Sequence, residues 1–353
     1  MERVIIMYRQ RSTLLSTLNC VKNHWQRYST DEVKRKKWRV MFFGTDEFAL
    51  KSLQQLHNAL KDRESCVSEL RVVVPAPKSR PCAVLNWATR QQLTVQIWPM
   101  AKEEPAPGHW DLGVVASFGH LIPQRIIQAF PMGMLNIHAS LLPRWRGAAP
   151  VIHAVMNGDP QTGVTIMRIK PFRFDVGDIV LQESVKVEPE DKADLLTNQL
   201  AVLGAKLLVK AVSDLEGCLS RSMPQPSEGV TLAPKIEAHL SRIKWHEETA
   251  LNVYNKWRAV SHLFKLETCF CGDKLKLDSM LPPIADAGQV DAADATVGRI
   301  LLDRKRNLIL VRCLGGHWAA FSRITVARKP VMSAIDFANG YLHKKAIGQH
   351  FFT

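Results

Sequence analysis

An amide and an imidazole stand two residues apart at Asn136 and His138, inside the run Leu135-Asn136-Ile137-His138-Ala139-Ser140-Leu141-Leu142-Pro143-Arg144-Trp145-Arg146-Gly147. In an extended strand that spacing turns both side chains to one face. A neutral N–H donor beside a group that can give or take a proton near pH 7 suits a carbonyl gaining negative charge. The pair therefore reads as polarising, not nucleophilic. Downstream, Arg173-Phe174-Asp175-Val176-Gly177-Asp178 puts two carboxylates on a glycine-containing loop. An acid folded back beside His138 would fix its tautomer, and the three groups would then form a proton-handling site. Taken alone, Asn-x-His fits equally a strand end with purely structural hydrogen bonds.

Such groups need elements to hold them. Val40-Met41-Phe42-Phe43, the turn Gly44-Thr45-Asp46 and an amphipathic stretch carrying Phe48, Leu50, Leu53, Leu56 and Leu60 predict a buried strand, a tight turn and a capped helix. Leu70 to Val74, Val95 to Trp98 and Leu112 to Val115 read as further strands, with a helix over Ala83 to Gln92. This alternation predicts an α/β, Rossmann-like doubly wound domain whose ligands sit beyond the carboxyl ends of its strands. Gly44-Thr45 is no G-x-G-x-x-G fingerprint, so no dinucleotide is expected. Pro150 suits the start of a helix over Val151 to Asn157. Val164 to Ile169 and Ile179 to Val187 read as antiparallel strands bracketing the Asp175 loop. The leucines from Leu195 to Leu208 recur at helical spacing and form a core stripe.

Proline, serine and glycine gather in Ser222-Met223-Pro224-Gln225-Pro226-Ser227-Glu228-Gly229, marking residues 221–242 as a linker after a first domain of 37–220. In 243–353 a helix over Glu247 to Ser261 precedes Leu266 to Cys271, Lys274 to Leu277, Thr296 to Leu302, Leu308 to Cys313 and Trp318 to Val326. Short strands with glycine turns predict a small barrel. Its Arg304-Lys305-Arg306 and Arg328-Lys329 fit phosphate contacts or a solvated face.

The chain of 353 residues is long enough for two domains, and its net charge of +14 favours a polyanionic partner. Seven cysteines without paired CxxC spacing indicate neither a zinc site nor a disulfide framework, so a reducing compartment is expected. The apolar runs are short and broken by charge, and none resembles a membrane span. Within residues 1–36, the first 30 hold Arg3, Arg9, Arg11, Lys22 and Arg27 among serines, threonines and leucines, against the single acid Glu2. That composition reads as a mitochondrial transit peptide, or else as a basic arm that touches RNA.

The run Ser140 to Pro150, SLLPRWRGAAP, joined to Asn136-Ile137-His138, to Gly163-Val164-Thr165-Ile166-Met167 and to Phe174-Asp175-Val176-Gly177-Asp178, resembles the 10-formyltetrahydrofolate-dependent formyltransferases from about Trp38 to near the C-terminus. The resemblance implies a formyltransferase domain followed by an OB-like β-barrel. It implies catalysis by Asn136, His138 and Asp175 without a metal, with 10-formyltetrahydrofolate as donor. Phe118, Gly119, Leu121 and Ile122, with Ser140, Leu141, Leu142 and Pro143, would surround the folate. The acceptor would be methionine esterified to initiator tRNA, which Lys78, Arg80, Arg144, Arg146, Lys235, Arg304, Lys305 and Arg306 would face; for Arg144 and Arg146, salt bridges within the turn are the alternative. A monomer in the mitochondrial matrix, away from any membrane, is expected. Two stretches depart from the pattern of the family's bacterial enzymes: Pro75-Ala76-Pro77-Lys78-Ser79-Arg80-Pro81 is shorter and free of glycine, and Lys170-Pro171-Phe172-Arg173-Phe174 is one residue longer. The competing readings are formylation of a small amine by the same triplet, and a tRNA- or folate-binding module without turnover.

Overall fold

The computed structural model describes residues 36–62, 64–77, 79–285 and 296–353; the segment read above as a transit peptide, up to residue 35, and Lys78 lie outside them. The first sheet grows around β1 (Trp38–Gly44), whose side chains are buried on both faces. Val40 and Phe42 enter one apolar layer with Leu53, Leu56 and Leu200, while Met41 and Phe43 enter another with Trp110, Ile126 and Phe130. A strand covered on both sides reads as a continuous apolar run, as this one does.

Helix α1 (Glu47–Lys61) starts where the Asp46 carboxylate accepts the Ala49 N–H. Then come β2 (Val67–Pro75), α2 (Ala83–Arg90), β3 (Thr94–Trp98), β4 (Leu112–Ala116), α3 (Gln124–Gln128) and β5 (Met134–His138). The short β6 (Arg146–Gly147) precedes α4 (Pro150–Met156), β7 (Gln161–Arg168), β8 (Ile179–Lys186), α5 (Ala193–Ser213) and α6 (Leu215–Ser220). The sheet order is β3-β2-β1-β4-β5-β7-β8, parallel as far as β5 and antiparallel across β7 and β8. Strand order reverses between β1 and β4, which opens a crevice at their carboxyl ends. Helix α5 differs from expectation: by length and composition it could cross a membrane, although half of its apolar window is buried in the domain.

One ion pair ties β1 to the turn before β4. The Arg39 guanidinium donates to both Asp111 oxygens, at 3.1 and 2.8 Å, and the Arg39 amide donates to Oδ2 at 2.8 Å. Hydrogen bonding from Arg39 holds the Asp111 carboxyl below the usual carboxylate range. A lowered folded-state value contributes stability above the ordinary carboxylate pKa, lost as pH falls through the folded value. The melting-temperature gap between the parent and Asp111→Asn is therefore expected to narrow from pH 7 to pH 3 in thermal melts.

The segment read as a linker is fastened down. Its β9 (Leu232–Ala233) pairs in parallel with β6, and Met223 bridges Ile179. Beyond it, α7 (Ala250–Val260) begins three residues later than expected because Thr249 and Asn252 form a reciprocal capping box. The second sheet comprises β10 (Leu266–Phe270), β11 (Asp273–Ile284), β12 (Ile300–Asp303), β13 (Leu308–Arg312), β14 (Trp318–Val326) and β15 (Val331–Ser333), followed by α8 (Ala334–Phe337). Its order is β10-β11-β14-β13-β12, with β15 on β14. Strand β11 runs well past the expected Leu277, carried by its long pairing with β14. Residues 350–353 lie across the gap between the edges: Cys269 and Thr353 exchange backbone hydrogen bonds, and the Ile300 N–H donates to the His350 carbonyl. This closes the sheet into a barrel.

Arg258 of α7 locks the domains together. It donates from Nη1 to the Glu188 and Asp191 carbonyls, at 3.2 and 2.7 Å, and from Nη2 to Asn255 Oδ1 at 2.7 Å.

Candidate active site

A cleft of about 770 Å³ opens where β1, β4 and β5 end. Thr45 and Asp46 supply one wall, Ser117 to Ile122 a second, and the residue 169–175 loop a third. The Thr45 hydroxyl donates to the Ser117 carbonyl at 2.5 Å, joining the first two walls. Beyond α4, Thr197 of α5 and His262 from the turn after α7 also reach the lining, so the second domain shares this surface.

Asn136 and His138 face the cleft from the last turns of β5, where Asn136 pairs with Val115 of β4 and with Met167 of β7. Asp175 comes back to meet them. Asn136 Nδ2 donates to Asp175 Oδ1 at 3.3 Å, and His138 Nδ1 lies 3.6 Å from the same oxygen. On its far side His138 Nε2 is 2.8 Å from the Trp145 carbonyl. A carbonyl only accepts, so Nε2 carries the proton. Neutral His138 then offers a lone pair at Nδ1, and it donates from Nδ1 only as the imidazolium, a cation that the Asp175 carboxylate faces. His138 and Asp175 are both buried.

Asp175 has a left-handed backbone, with φ of 55°, and its neighbours hold it there. The Gly147 amide donates to Oδ2 at 2.9 Å. Gln225 Nε2 donates to the carbonyls of Asp175 and Gly177 at 2.9 and 2.8 Å. Gln225 Oε1 in turn accepts from Arg146 Nη2 at 2.6 Å. The Gly147 amide and Gln225 are site residues that sequence reasoning missed, since nothing in a proline-rich stretch marks one glutamine as an anchor. Asp178, whose side chain accepts from Lys170 Nζ at 2.7 Å, stays out of the trio.

Arg144 pairs with Asp159 through Nε and Nη2, at 2.7 and 2.6 Å, and stacks on Trp145, whose Nε1 donates to Asp159 Oδ2 at 2.7 Å. Hydrogen bonding to Asp159 raises the Arg144 guanidinium above its usual value. Asp159→Ala would strand the buried Trp145 N–H, while half-exposed Arg144 could rehydrate. The expected cost is about 1–3 kcal/mol in urea unfolding, with the Trp145 carbonyl loosened behind His138.

The other expected residues divide. Phe118, Gly119, Leu121 and Ile122 line the cleft. Ser140, Leu141, Leu142 and Pro143 are absent from its lining; the Ser140 hydroxyl donates to the Arg144 carbonyl, and the Leu142 N–H to Thr165. These four shape the turn behind His138. Arg144 and Arg146 are engaged within the molecule as above. Arg80 and Lys235 are exposed, and Arg304, Lys305 and Arg306 occupy the exposed turn between β12 and β13, where Arg306 pairs with Asp303. Among the described residues no cluster of three metal-ligating side chains occurs.

The first domain is thus a largely parallel sheet with a polar trio at its strand ends, and a small barrel follows it. The chain belongs to the formyl transferase family: residues 38–212 match the formyl transferase model, and residues 235–342 match the model of the formyl transferase C-terminal domain. It is 40% identical to the mitochondrial methionyl-tRNA formyltransferase of Homo sapiens, over 90% of this chain and 82% of that protein. With the methionyl-tRNA formyltransferase of Variovorax paradoxus it shares 35% identity over 73% of this chain and 84% of the other. Its fold is also that of the sugar 3N-formyl transferase WlaRD, solved with 5-N-formyl-THF, at a TM-score of 0.59 and 16% identity over 83% of this chain and 99% of that one.

Proposed function

We propose that this chain transfers a formyl group from 10-formyltetrahydrofolate to the α-amino group of methionyl-tRNA, in the mitochondrial matrix, giving N-formylmethionyl-tRNA for translation initiation. The observation that carries the reading is the convergence of Asn136, His138 and Asp175 in one cleft, on a chain similar along most of its length to mitochondrial methionyl-tRNA formyltransferases. The donor's ring lies against Phe118 to Ile122, where apolar walls and backbone polar groups alternate.

The unprotonated amine attacks the formyl carbon, and the carbonyl electron pair moves onto oxygen. Asn136 has two amide hydrogens; one binds Asp175 and the other meets that oxyanion. His138, as the imidazolium, donates from Nδ1 to the same oxygen. Asp175 takes the proton from the attacking nitrogen and passes it to the departing folate nitrogen as the oxyanion's electron pair re-forms the carbonyl and the C–N bond breaks. Gln225 and the Gly147 amide keep the acid in place.

The test offers the purified chain labelled 10-formyltetrahydrofolate with methionyl-tRNA, free methionine or glycinamide ribonucleotide. Formylated methionyl-tRNA alone is the expected result. Label on a small amine would move the acceptor and keep the chemistry; tRNA bound without turnover would replace the enzyme with a binding module.

A further inference from the structure

The loop before Asp175 presents two phenylalanines to solvent, and Phe174 lines the cleft. Phe172 is 76% exposed and Phe174 59% exposed, while the neighbouring Asp175 is 9% exposed. Apolar rings are normally folded away, and here a buried acid sits beside them. Phe172 moreover adopts a left-handed backbone, with φ of 68°, a conformation that bulky side chains rarely hold. Between them Arg173 is exposed, lines the cleft with Phe174, and makes no hydrogen bond or ion pair to another described residue. Lys170, the other cation of this wall, is occupied by Asp178.

We infer that Phe172 and Phe174 form a stacking platform for the 3′-terminal adenine of the aminoacyl-tRNA, with Arg173 meeting the adjoining phosphates. The inference rests on the function proposed above and names how the acceptor is gripped. An amine reacting at Asp175 is joined through its ester to a ribose and a purine only a few bonds away. Phe174 adjoins Asp175, and three residues of chain place Phe172 within about 11 Å of it by backbone geometry. Aromatic faces interleaved with an unpaired cation are the chemistry that holds single-stranded nucleic-acid ends without reading base edges. The pair acts by positioning the amine, and takes no part in bond making.

The experiment measures steady-state formylation by the full chain and by Phe172→Ala, Phe174→Ala, their double variant and Phe174→Trp. The acceptors are methionyl-tRNA and a methionyl minihelix whose terminal ribose lacks its base. The double variant is expected to lose about 30-fold in kcat/KM for methionyl-tRNA, with KM for the donor unchanged, while Phe174→Trp, which keeps an aromatic face, loses less than Phe174→Ala. Removing the base should cost the parent a similar factor and the double variant little more. Parent-like kcat/KM in the double variant, a rise confined to donor KM, or additive losses on the base-less acceptor would overturn the inference. A parent that formylates no tRNA fails the function itself and takes the platform with it, a result unlike an active enzyme indifferent to its two phenylalanines.

Discussion

Formyl transfer by His138→Ala or Asp175→Asn is expected to fall at least ~100-fold in kcat, with donor KM little changed, because each removes charge stabilisation needed only in the transition state. The two losses arise differently. His138→Ala deletes the donor aimed at the oxyanion and leaves the Trp145 carbonyl without its 2.8 Å partner. Asp175→Asn is the cleaner probe. An asparagine oxygen in place of Oδ2 still accepts the Gly147 N–H, so the loop keeps its anchor. Its amide nitrogen then stands where Oδ1 faced Asn136 and His138, and it can neither take a proton nor stabilise the imidazolium. A melting temperature close to the parent's, with activity lost in single-turnover assays, is the signature; activity within a few-fold of the parent would remove Asp175 from the chemistry.

The second large effect needs no change to a polar group. Gly177 lies so close to β7 that a Cβ there would stand 1.5 Å from the Arg168 carbonyl oxygen and 2.7 Å from its carbon. Both atoms are backbone, so no side chain can swing aside; the loop must lift from the strand. The Gly177 carbonyl is also one of the two that Gln225 grips, so the lift releases Asp175 from its left-handed position. Gly177→Ala is expected to cost about 1–3 kcal/mol or more in urea unfolding and at least ~10-fold in kcat. Gly340→Ala, where nothing lies within 4 Å, serves as the silent control in both measurements.

Much of this was legible in the chain because it is local. Asn136 and His138 share a strand face by period alone, and the apolar runs of β1, β4 and β5 announce a covered parallel sheet. The Pro150 helix start and the hairpin around Asp175 follow from equally short-range rules. What escaped depends on contacts between distant segments. The family resemblance puts Ser140 to Pro143 around the folate, yet the turn they form folds behind His138, where Thr165 and the Arg144 carbonyl satisfy it. The Arg144–Asp159 pair joins a turn to the far end of α4. His262 reaches the cleft from the other domain through α7, whose seating relies on Gly158 lacking a Cβ that would press Asn255.

Gln225 carries a consequence for how the enzyme comes into being. It lies fifty residues beyond the loop it secures, outside the 38–212 stretch that contains all three polar side chains. A fragment trimmed to that stretch keeps the chemistry's alphabet but loses the clasp that spells it. During refolding the loop-closure entropy of that long-range contact must be met before the acid is seated. Recovery of activity should therefore trail recovery of helical and sheet signal, the active site being among the last parts of the first domain to mature.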